Sequence, residues 1–333
     1  MKVSIKKISE ITGFSQATVS NALNNKQGVN KNTAEQIWEV AKKYGYFSES
    51  KIESIRFVIY KDSGQIVSDT PFFSQLIEGI EEETRRSGRE IIISNLNRSA
   101  PDYEQARDRI LLDSSSGIIV LATELSEEDA GAFAGAVNPV VMLDNCFDSP
   151  AYNSVMIGNT DAVCMAVESM IEKGHKEIGY LKSTIRIKNF FYRESGYRRA
   201  LRLNGLIPDQ KYEFGLAPTT EGAYQDMNRL LEGRPEMPTA FFADNDIIAM
   251  GAMKALQEHG FRIPDDISIV GFDDLPFCSV TSPSLSTIKV FKQEMGRAAV
   301  RRLNELIQYG DQFKTKTQIC CEFIERESVK KIS

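Results

Sequence analysis

The sequence predicts an α/β fold, in which two doubly wound parallel sheets follow an all-α helix-turn-helix headpiece. From residue 54 onward, short runs rich in β-branched residues alternate with amphipathic stretches of helical length. Strands that alternate with helices in this way form parallel sheets covered on both faces. Before residue 50, apolar residues recur only at helical spacing. The length of 333 residues also exceeds that of one typical domain.

The headpiece is predicted from the segment Gly-Phe-Ser-Gln-Ala-Thr-Val-Ser at residues 13–20. Gly13 ends a first helix, and Ser15 is a suitable N-cap for a second helix at residues 16–24. The apolar positions expected to pack together are Ile5, Ile8 and Ile11 of the first helix, Val19, Ala22 and Leu23 of the second, and Ile37, Val40, Ala41 and Tyr44 of a third at residues 33–44. In such a motif the second helix enters the major groove of DNA. The segment therefore predicts DNA binding.

The distribution of charge favours the same interpretation. Residues 1–50 contain seven lysines and four glutamates, so their net charge is 7 − 4 = +3, whereas the whole chain carries −6 and the remainder therefore −9. A basic end on an acidic body suits a protein that contacts phosphate groups in one place only. The alternative, a small helical cap on an enzyme domain, would not require this charge difference.

Bulk properties indicate a cytoplasmic protein. No apolar stretch approaches the roughly 20 residues needed to cross a bilayer, and the amino terminus lacks the apolar core of a signal peptide. The five cysteines form no CxxC pair and are expected to be reduced thiols; they are Cys146, Cys164, Cys278, Cys320 and Cys321. Because no catalytic, phosphate-loop or metal-ligand spacing occurs, we expect no enzyme activity, cofactor or metal.

Seven strands and six helices are predicted in the body. The strands are expected at residues 55–60, 90–94, 117–121, 140–143, 178–181, 240–243 and 267–272, and the helices at residues 73–87, 102–113, 160–173, 193–204, 220–232 and 246–259. Three of the helices end with a glycine beside a basic residue, at residues 87–89, 173–175 and 259–262. Glycine supplies the left-handed helix stop, and a cation suits the negative end of the helix.

Short polar side chains follow three of the predicted strands. They are Asp144 and Asn145, then Asp244, Asn245 and Asp246, and finally Asp273 and Asp274. In doubly wound sheets, ligands bind at the carboxyl ends of the strands. Each set taken alone could be an ordinary helix N-cap. Three sets on the same edge nevertheless favour a polar cleft that binds hydroxyl groups.

These residues resemble the lac repressor (LacI/GalR) family of bacterial transcriptional regulators over nearly the full chain. The matching segments are residues 5–24 with Val29, Thr33 and residues 44–46 in the head, and residues 174–179, 193–197, 245–246 with Ala249 and Gly251, 264–274 and 325–328 in the body. The resemblance implies two periplasmic-binding-protein-like subdomains joined by three crossovers, with a small effector between them. It also implies a homodimer that binds a near-palindromic DNA operator.

The resemblance implies a domain division and site residues. The headpiece would span residues 1–48, a short linker 49–54 and the effector-binding domain 55–328, with an amino-terminal subdomain at 55–157 plus 288–314 and a carboxyl-terminal subdomain at 158–287 plus 315–328. The DNA-binding residues would be Ser4, Ser15, Gln16, Ala17, Thr18, Ser20, Asn21, Asn24, Lys26 and Lys31. The effector-binding residues would be Phe72, Phe73, Asp144, Arg193, Asn245 and Asp273.

Two departures from the family pattern stand out. Residues 47–54 lack the hinge helix whose leucine wedges into the DNA minor groove, so we expect less operator bending than is usual in the family. The usual Asp-Asn near the subdomain pivot is here Gly158-Asn159, which removes one carboxylate.

The favoured function is a repressor of carbohydrate-utilisation genes that responds to a sugar or sugar derivative. The alternatives are a sugar-binding module or sensor without direct operator control, such as a transport-type binding protein, and an enzyme.

Overall fold

The computed structural model of the chain describes residues 4–23, 28–44, 52–67, 71–148 and 151–332. Within these ranges the chain forms a helical headpiece and two six-stranded α/β lobes. We name the lobe whose sheet begins at Ser54 the amino-terminal lobe, and the lobe whose sheet begins at Ile178 the carboxyl-terminal lobe. Among the described residues, no helix is both long and apolar enough to cross a membrane.

The headpiece consists of α1 (Ile5–Thr12), α2 (Gln16–Leu23) and α3 (Lys31–Lys43). The Ser4 hydroxyl caps α1 by accepting a hydrogen bond from the Lys7 amide, and Gly13 ends that helix with a left-handed φ of 77°. The side chains buried at its centre are Ile8, Val19, Ala22, Ile37 and Ala41. Since all three helices contribute, the helical spacing of the sequence produces one small core. Ile11 and Tyr44 differ from the prediction, because they are 37 % and 45 % exposed.

The sheet of the amino-terminal lobe has six strands. They are β1 (Ser54–Lys61), β2 (Glu90–Asn97), β3 (Ser116–Leu121), β4 (Val140–Leu143), β5 (Asn153–Ile157) and β11 (Lys316–Ile319), in the order β11-β5-β4-β3-β1-β2. Every pairing is parallel. The helices of this lobe are α4 (Pro71–Arg86), α5 (Tyr103–Leu111), α6 (Glu127–Ala130) and α11 (Lys292–Tyr309). Strand β3 is buried along its whole length, as expected for a sheet covered on both faces.

The carboxyl-terminal lobe repeats this architecture. Its strands are β6 (Ile178–Ser183), β7 (Glu213–Leu216), β8 (Ala240–Ala243), β9 (Ser268–Asp273), β10 (Ser286–Lys289) and β12 (Glu322–Ile324), in the order β12-β10-β9-β8-β6-β7. Only the β10–β12 pairing among these is antiparallel. The helices are α7 (Asn159–Glu172), α8 (Lys188–Leu203), α9 (Thr220–Glu232) and α10 (Asp246–Glu258).

The chain crosses between the lobes three times, and the last two crossings differ from the predicted division. Strand β10 ends at Lys289 in the carboxyl-terminal lobe, and α11 then lies on the amino-terminal lobe. Strand β11 pairs with β5 in the amino-terminal sheet, whereas residues 315–328 are assigned as one piece to the other subdomain in the predicted division. The polar sequence Lys-Thr-Gln-Ile of β11, which lies at a sheet edge and is largely exposed, explains why its strand character was missed.

Helices α4 and α11 pack closely where they cross, because a glycine of each helix lies directly against the backbone of the other helix. A Cβ atom on Gly79 would lie 2.0 Å from the Gln293 carbonyl oxygen, and one on Gly296 would lie 2.5 Å from the Leu76 carbonyl oxygen. Around this contact, the Arg297 guanidinium forms a salt bridge of 2.8 Å with Glu82. The two helices therefore form one rigid layer of the amino-terminal lobe.

Arg89, between α4 and β2, joins the end of the linker to α11. Its Nε donates a hydrogen bond of 3.3 Å to the Ile52 carbonyl, and its Nη1 donates one of 3.0 Å to Oδ1 of Asn304. At the opposite end of α11, the buried Lys292 ammonium donates to the carbonyl oxygens of Asp273 and Asp274. Helix α11 is thus linked through Arg89 to Ile52 of the linker, and at its other end it contacts Asp273 of the interlobe cleft.

Candidate functional site

Two sites follow from the predictions, the outer face of α2 and the cleft between the lobes. The α2 site begins at Ser15, whose hydroxyl accepts a hydrogen bond of 3.1 Å from the Thr18 amide and lies 2.9 Å from the Thr18 hydroxyl. This cap holds the first turn of α2, in which Gln16 and Ala17 are exposed. On the inner face, the Ala22 carbonyl accepts a hydrogen bond of 3.1 Å from the Trp38 indole of α3.

The other predicted DNA-binding residues lie around this exposed turn to different degrees. Ser20 and Asn21 of α2 are half-buried, Ser4 is exposed at the start of α1, and Lys31 begins α3. Asn24 and Lys26 lie outside the described residues, as do residues 45–51, which end the predicted headpiece and begin the predicted linker at 49–54. The interpretation of α2 as the recognition helix therefore depends mainly on its capped and exposed first turn.

The interlobe cleft contains a cavity of about 200 Å³. All six predicted effector residues line it, namely Phe72, Phe73, Asp144, Arg193, Asn245 and Asp273. Residues that sequence reasoning missed complete the wall; they are Ile66, Thr123, Ile187, Asn189, Phe190, Pro218, Thr219, Thr220, Ile247 and Leu275. Nearly all of them lie in loops or first helical turns after the carboxyl ends of strands, which is the ligand position of doubly wound sheets.

Asp144 connects the two lobes across the cavity. It is buried at the end of β4, where Oδ2 accepts a hydrogen bond of 2.6 Å from Thr123 and Oδ1 accepts one of 2.9 Å from the amide of Asn189 in α8. Burial raises the pKa of the Asp144 carboxyl to about 6, although these hydrogen bonds oppose the shift. Its backbone is left-handed with φ of 65°, a conformation that is uncommon outside glycine and often found at functional sites.

Arg193 is held from several sides in the carboxyl-terminal lobe. Its Nε donates a hydrogen bond of 2.9 Å to Oδ1 of Asn159, and Nη1 donates one of 2.5 Å to the Asp244 carbonyl. The guanidinium also lies 3.6 Å from the centre of the Phe272 ring. Asn159 in turn donates 3.0 Å to Asn189, so a continuous hydrogen-bond network runs from Arg193 to Asp144. Its buried asparagines carried no signal in the sequence.

Asp273 differs from Asp144 because one oxygen of its carboxylate accepts no hydrogen bond from the described residues. Its Oδ1 is buried without a hydrogen-bond partner among the described residues, and it lies 3.6 Å from Nη2 of Arg193. Burial raises the pKa of Asp273, while the charges of Arg193 and Lys292 oppose the shift. Its φ of 117° is strained for an aspartate. This oxygen is therefore ion-paired with Arg193 but keeps an unfilled capacity to accept a hydrogen bond.

Polar residues next to the cavity wall stabilise the site. Asp244, the residue after β8, accepts hydrogen bonds of 2.7 Å from the Ser183 amide and 2.5 Å from Arg186. Asn245 lines the cavity, but its Oδ1 accepts a hydrogen bond of 2.9 Å from the Ile248 amide, so it also acts as the N-cap of α10. The N-cap alternative therefore applies to Asn245 without excluding it from the cavity.

Asp246 lies behind the wall rather than in it. Thr287 and the Leu275 amide donate hydrogen bonds of 2.5 Å and 2.9 Å to its two oxygens. Burial and the charge of Asp273 raise the pKa of Asp246 to about 7. All five cysteines are free thiols, and the described residues contain no cluster of three or more metal-binding side chains.

Comparisons with known proteins agree with this architecture. A family model described as a periplasmic binding protein-like domain matches residues 167–329. The HTH-type transcriptional repressor PurR of Haemophilus influenzae strain PittEE is 30% identical over 336 residues, covering 98% of this chain and 99% of its own length. PurR of Mannheimia succiniciproducens is 28% identical over 99% of both chains.

Among solved structures, the lac repressor dimer bound to operator and the anti-inducer ONPF is similar to this chain with a TM-score of 0.72 and 25% identity. The match covers 99% of this chain and 100% of that one. The likeness thus extends through the headpiece and both lobes, and these relatives are repressors rather than enzymes. The chain therefore belongs to the lac repressor (LacI/GalR) family, as a DNA-binding transcriptional repressor with a ligand-binding domain.

Proposed function

We propose that this repressor controls carbohydrate-utilisation genes and that a small sugar or sugar derivative binds in the interlobe cavity to change its affinity for the operator. The observation that carries the proposal is the buried Oδ1 of Asp273, a residue of the cavity wall, because this oxygen is ion-paired with Arg193 at 3.6 Å but accepts no hydrogen bond from the described residues. A ligand hydroxyl group would donate to this oxygen and relieve an unsatisfied buried acceptor, which costs about 1–3 kcal/mol when left unpaired.

The rest of the wall suits a ligand that has both polar edges and apolar faces. Arg193 supplies donors opposite Asp273, and Asp144 supplies a second carboxylate from the other lobe. The rings of Phe72 and Phe73 meet edge to face with centroids 5.1 Å apart and present an apolar surface. Phe72 also belongs to the hydrophobic core, so its packing and ligand-binding roles coexist. A sugar ring combines hydroxyl groups at its rim with less polar faces, in agreement with this wall.

The size of the cavity favours a small effector. Its volume of about 200 Å³ lies below the roughly 300–1,000 Å³ that is usual for drug-sized ligands. We therefore favour a monosaccharide or a derivative of similar size over a longer saccharide.

A thermal-shift screen would test the sugar proposal. Monosaccharides, disaccharides, sugar phosphates, nucleobases and amino acids would be added to the full chain, and the stabilising ligand titrated against Asp273→Ala. We expect a monosaccharide to raise the melting temperature and D273A to lose most of this shift, because a site built for hydroxyl groups depends strongly on its buried acceptors. Asp161→Ala, at an exposed position of α7, is the matched control. Stabilisation only by a nucleobase or amino acid, undiminished in D273A, would refute the sugar proposal but leave the repressor assignment intact.

For operator recognition we propose that the first turn of α2 contacts the bases. Gln16 has the amide needed for two hydrogen bonds to adenine, Ala17 offers a methyl group to thymine, and Asn21 lies about one turn further along α2. The hydroxyls and cations among the remaining predicted residues would contact phosphates, namely Ser4, Ser15, Thr18, Ser20, Lys26 and Lys31, together with Asn24.

Selection of operators from random DNA would test this assignment. We expect wild type to select two inverted half-sites, since we propose a homodimer like the dimer named for its relative. Gln16→Ala should weaken binding by about 1–3 kcal/mol and relax one position in each half-site. Glu10→Ala, exposed on α1, should leave the selected sequence unchanged. Identical selections by Q16A and wild type would remove Gln16 from base recognition, and a single half-site would contradict the homodimer.

A further inference from the structure

The loop after β1 is held by a single carboxylate that no sequence pattern indicated. Glu124 follows Thr123, beyond the end of β3, and its side chain reaches the loop at residues 62–67. Its Oε2 accepts hydrogen bonds of 2.8 Å from the Asp62 amide and 2.9 Å from the Gly64 amide. Its Oε1 accepts hydrogen bonds of 2.9 Å and 2.8 Å from the amides of Ile66 and Val67. One carboxylate therefore satisfies four backbone donors.

This loop forms part of the cavity. Ile66 lines the cavity wall, and the next residue, Val67, is buried in the hydrophobic core. On the other side of Glu124, its chain neighbour Thr123 also lines the cavity and donates to Asp144. The Glu124 carboxylate therefore lies between two residues of the cavity wall, Ile66 and Thr123, which follow the adjacent parallel strands β1 and β3.

The ionised form of Glu124 is the one that the loop requires. The four amide hydrogen bonds lower the pKa of the Glu124 carboxyl although burial opposes the shift. All four partners are N–H donors, so an amide in place of the carboxylate would direct its NH2 group against two of them. The exchange of one oxygen for nitrogen therefore removes the acceptor of two hydrogen bonds and adds an unfavourable contact.

We propose that Glu124 is a positioning residue of the effector site, which fixes the loop at residues 62–67 so that Ile66 closes the cavity and limits the length of the ligand. The inference rests on the proposed function in taking this cavity as the effector site. It does not require Glu124 to contact the ligand. Loss of the carboxylate should release the loop, weaken the binding of a short ligand and reduce the discrimination against a longer one.

The test compares wild type, Glu124→Gln and Glu128→Gln in the full chain. Glu128 lies four residues further along, in α6, and is exposed, which makes it a matched control. Hydrogen exchange in the absence of ligand would be followed at the four loop amides, and binding of D-ribose and cellobiose would be measured by calorimetry. E124Q should show faster exchange at the loop and roughly tenfold weaker ribose binding, as expected for lost hydrogen bonds to a charged group. The ratio of ribose to cellobiose affinity should fall.

Ile66→Ala provides a second variant that leaves the four amide hydrogen bonds in place. It should lower the same affinity ratio without faster exchange at Gly64. Unchanged loop exchange in E124Q overturns the proposal, whatever the sugars do. Faster exchange with wild-type affinity and ratio for both sugars also overturns it, since the loop would then not shape the site. If wild type binds neither sugar, the ligand found in the thermal-shift screen and a longer derivative of it replace them, and the same exchange and affinity comparisons decide the role of Glu124.

Discussion

At the scale of single residues, the cleft is notable for carboxylates that folding holds in apolar surroundings. Asp144, Asp246 and Asp273 are all buried, and burial is the main cause that raises the pKa of each. A group whose pKa is raised in the folded state favours folding in its protonated form. Its contribution to stability is complete below the ordinary aspartate pKa of about 4 and is lost as the pH rises through the folded-state value.

Asp246 gives the clearest test, because its folded-state pKa is about 7. Asp246→Asn should have nearly wild-type stability below about pH 4, since the neutral amide can donate to Thr287 and accept from the Leu275 amide. At pH 8.5 the variant should be more stable than wild type by on the order of 4 kcal/mol, because wild type then carries a buried charge on a carboxyl whose pKa is about 7 instead of the ordinary value of about 4, at about 1.4 kcal/mol for each pH unit. Urea unfolding at both pH values measures this difference. Asp102→Asn, at an exposed site without a capping bond, should show none; a pH-independent difference for D246N would contradict the assignment.

The sequence indicated those site residues whose role can be recognised from residue type and position along the chain. Asp144 and Asp273 were identified because each carboxylate stands at the end of a buried strand; the expected single edge is in fact two, since the structure places them at the carboxyl ends of strands in different sheets that line one cavity. Asn189 and Glu124 were missed because their roles depend on partners 45 and 58 residues away, namely Asp144 and the Ile66 amide. Neither residue type nor local spacing indicates such long-range hydrogen bonds.

At the scale of elements, the predicted helices and the apolar strands β4 and β8 agree with the structure, although α8 begins five residues earlier than predicted, whereas β5, β7, β10, β11 and β12 were not predicted. The structure gives α9 the same bounds as the prediction, Thr220–Glu232, because its apolar face and its Thr219 cap are both local signals. Strands β7, β10 and β12 contain only four, four and three residues. Length alone does not explain the difference, because β4 and β8 also have four residues but are entirely apolar, whereas β7, β10 and β12 each include polar residues and are defined only by pairing with a neighbouring strand.

The crossing of α4 and α11 leads to a prediction at this scale. Gly79→Ala should destabilise the protein by about 1–3 kcal/mol or more, because the added methyl group would overlap the Gln293 backbone and the helices would have to move apart. Gly131→Ala is the control, since nothing lies within 4 Å of a Cβ there and its φ of −52° suits alanine. The free energy of unfolding in urea would be measured for both. Equal stabilities of G79A and G131A would show that the helices can separate at no cost.

At the scale of the whole molecule, Arg89 is placed to relate the lobes to the headpiece. Arg89→Met should leave ligand affinity unchanged, because Arg89 contacts Ile52 and Asn304 rather than the cavity. It should reduce the change in operator affinity that ligand causes, which in coupled proteins is typically about 1–3 kcal/mol. Operator titrations with and without the stabilising ligand measure this coupling, and Arg85→Met, exposed on α4, is the control. Full coupling in R89M would show that the signal follows another route.

The contacts of α11 through Lys292 and Asn304 indicate how a movement could pass along this helix. The helix has 18 residues and is therefore about 27 Å long. Its backbone hydrogen bonds resist axial compression, and its close packing with α4 means that the two helices would move together. A displacement of the Asp273 carbonyl, at the end of β9, would then pass through Lys292 to α11 and through Asn304 to Arg89. A movement too small to be seen as lobe closure could then still shift Ile52, the linker residue that leads toward the DNA-binding headpiece.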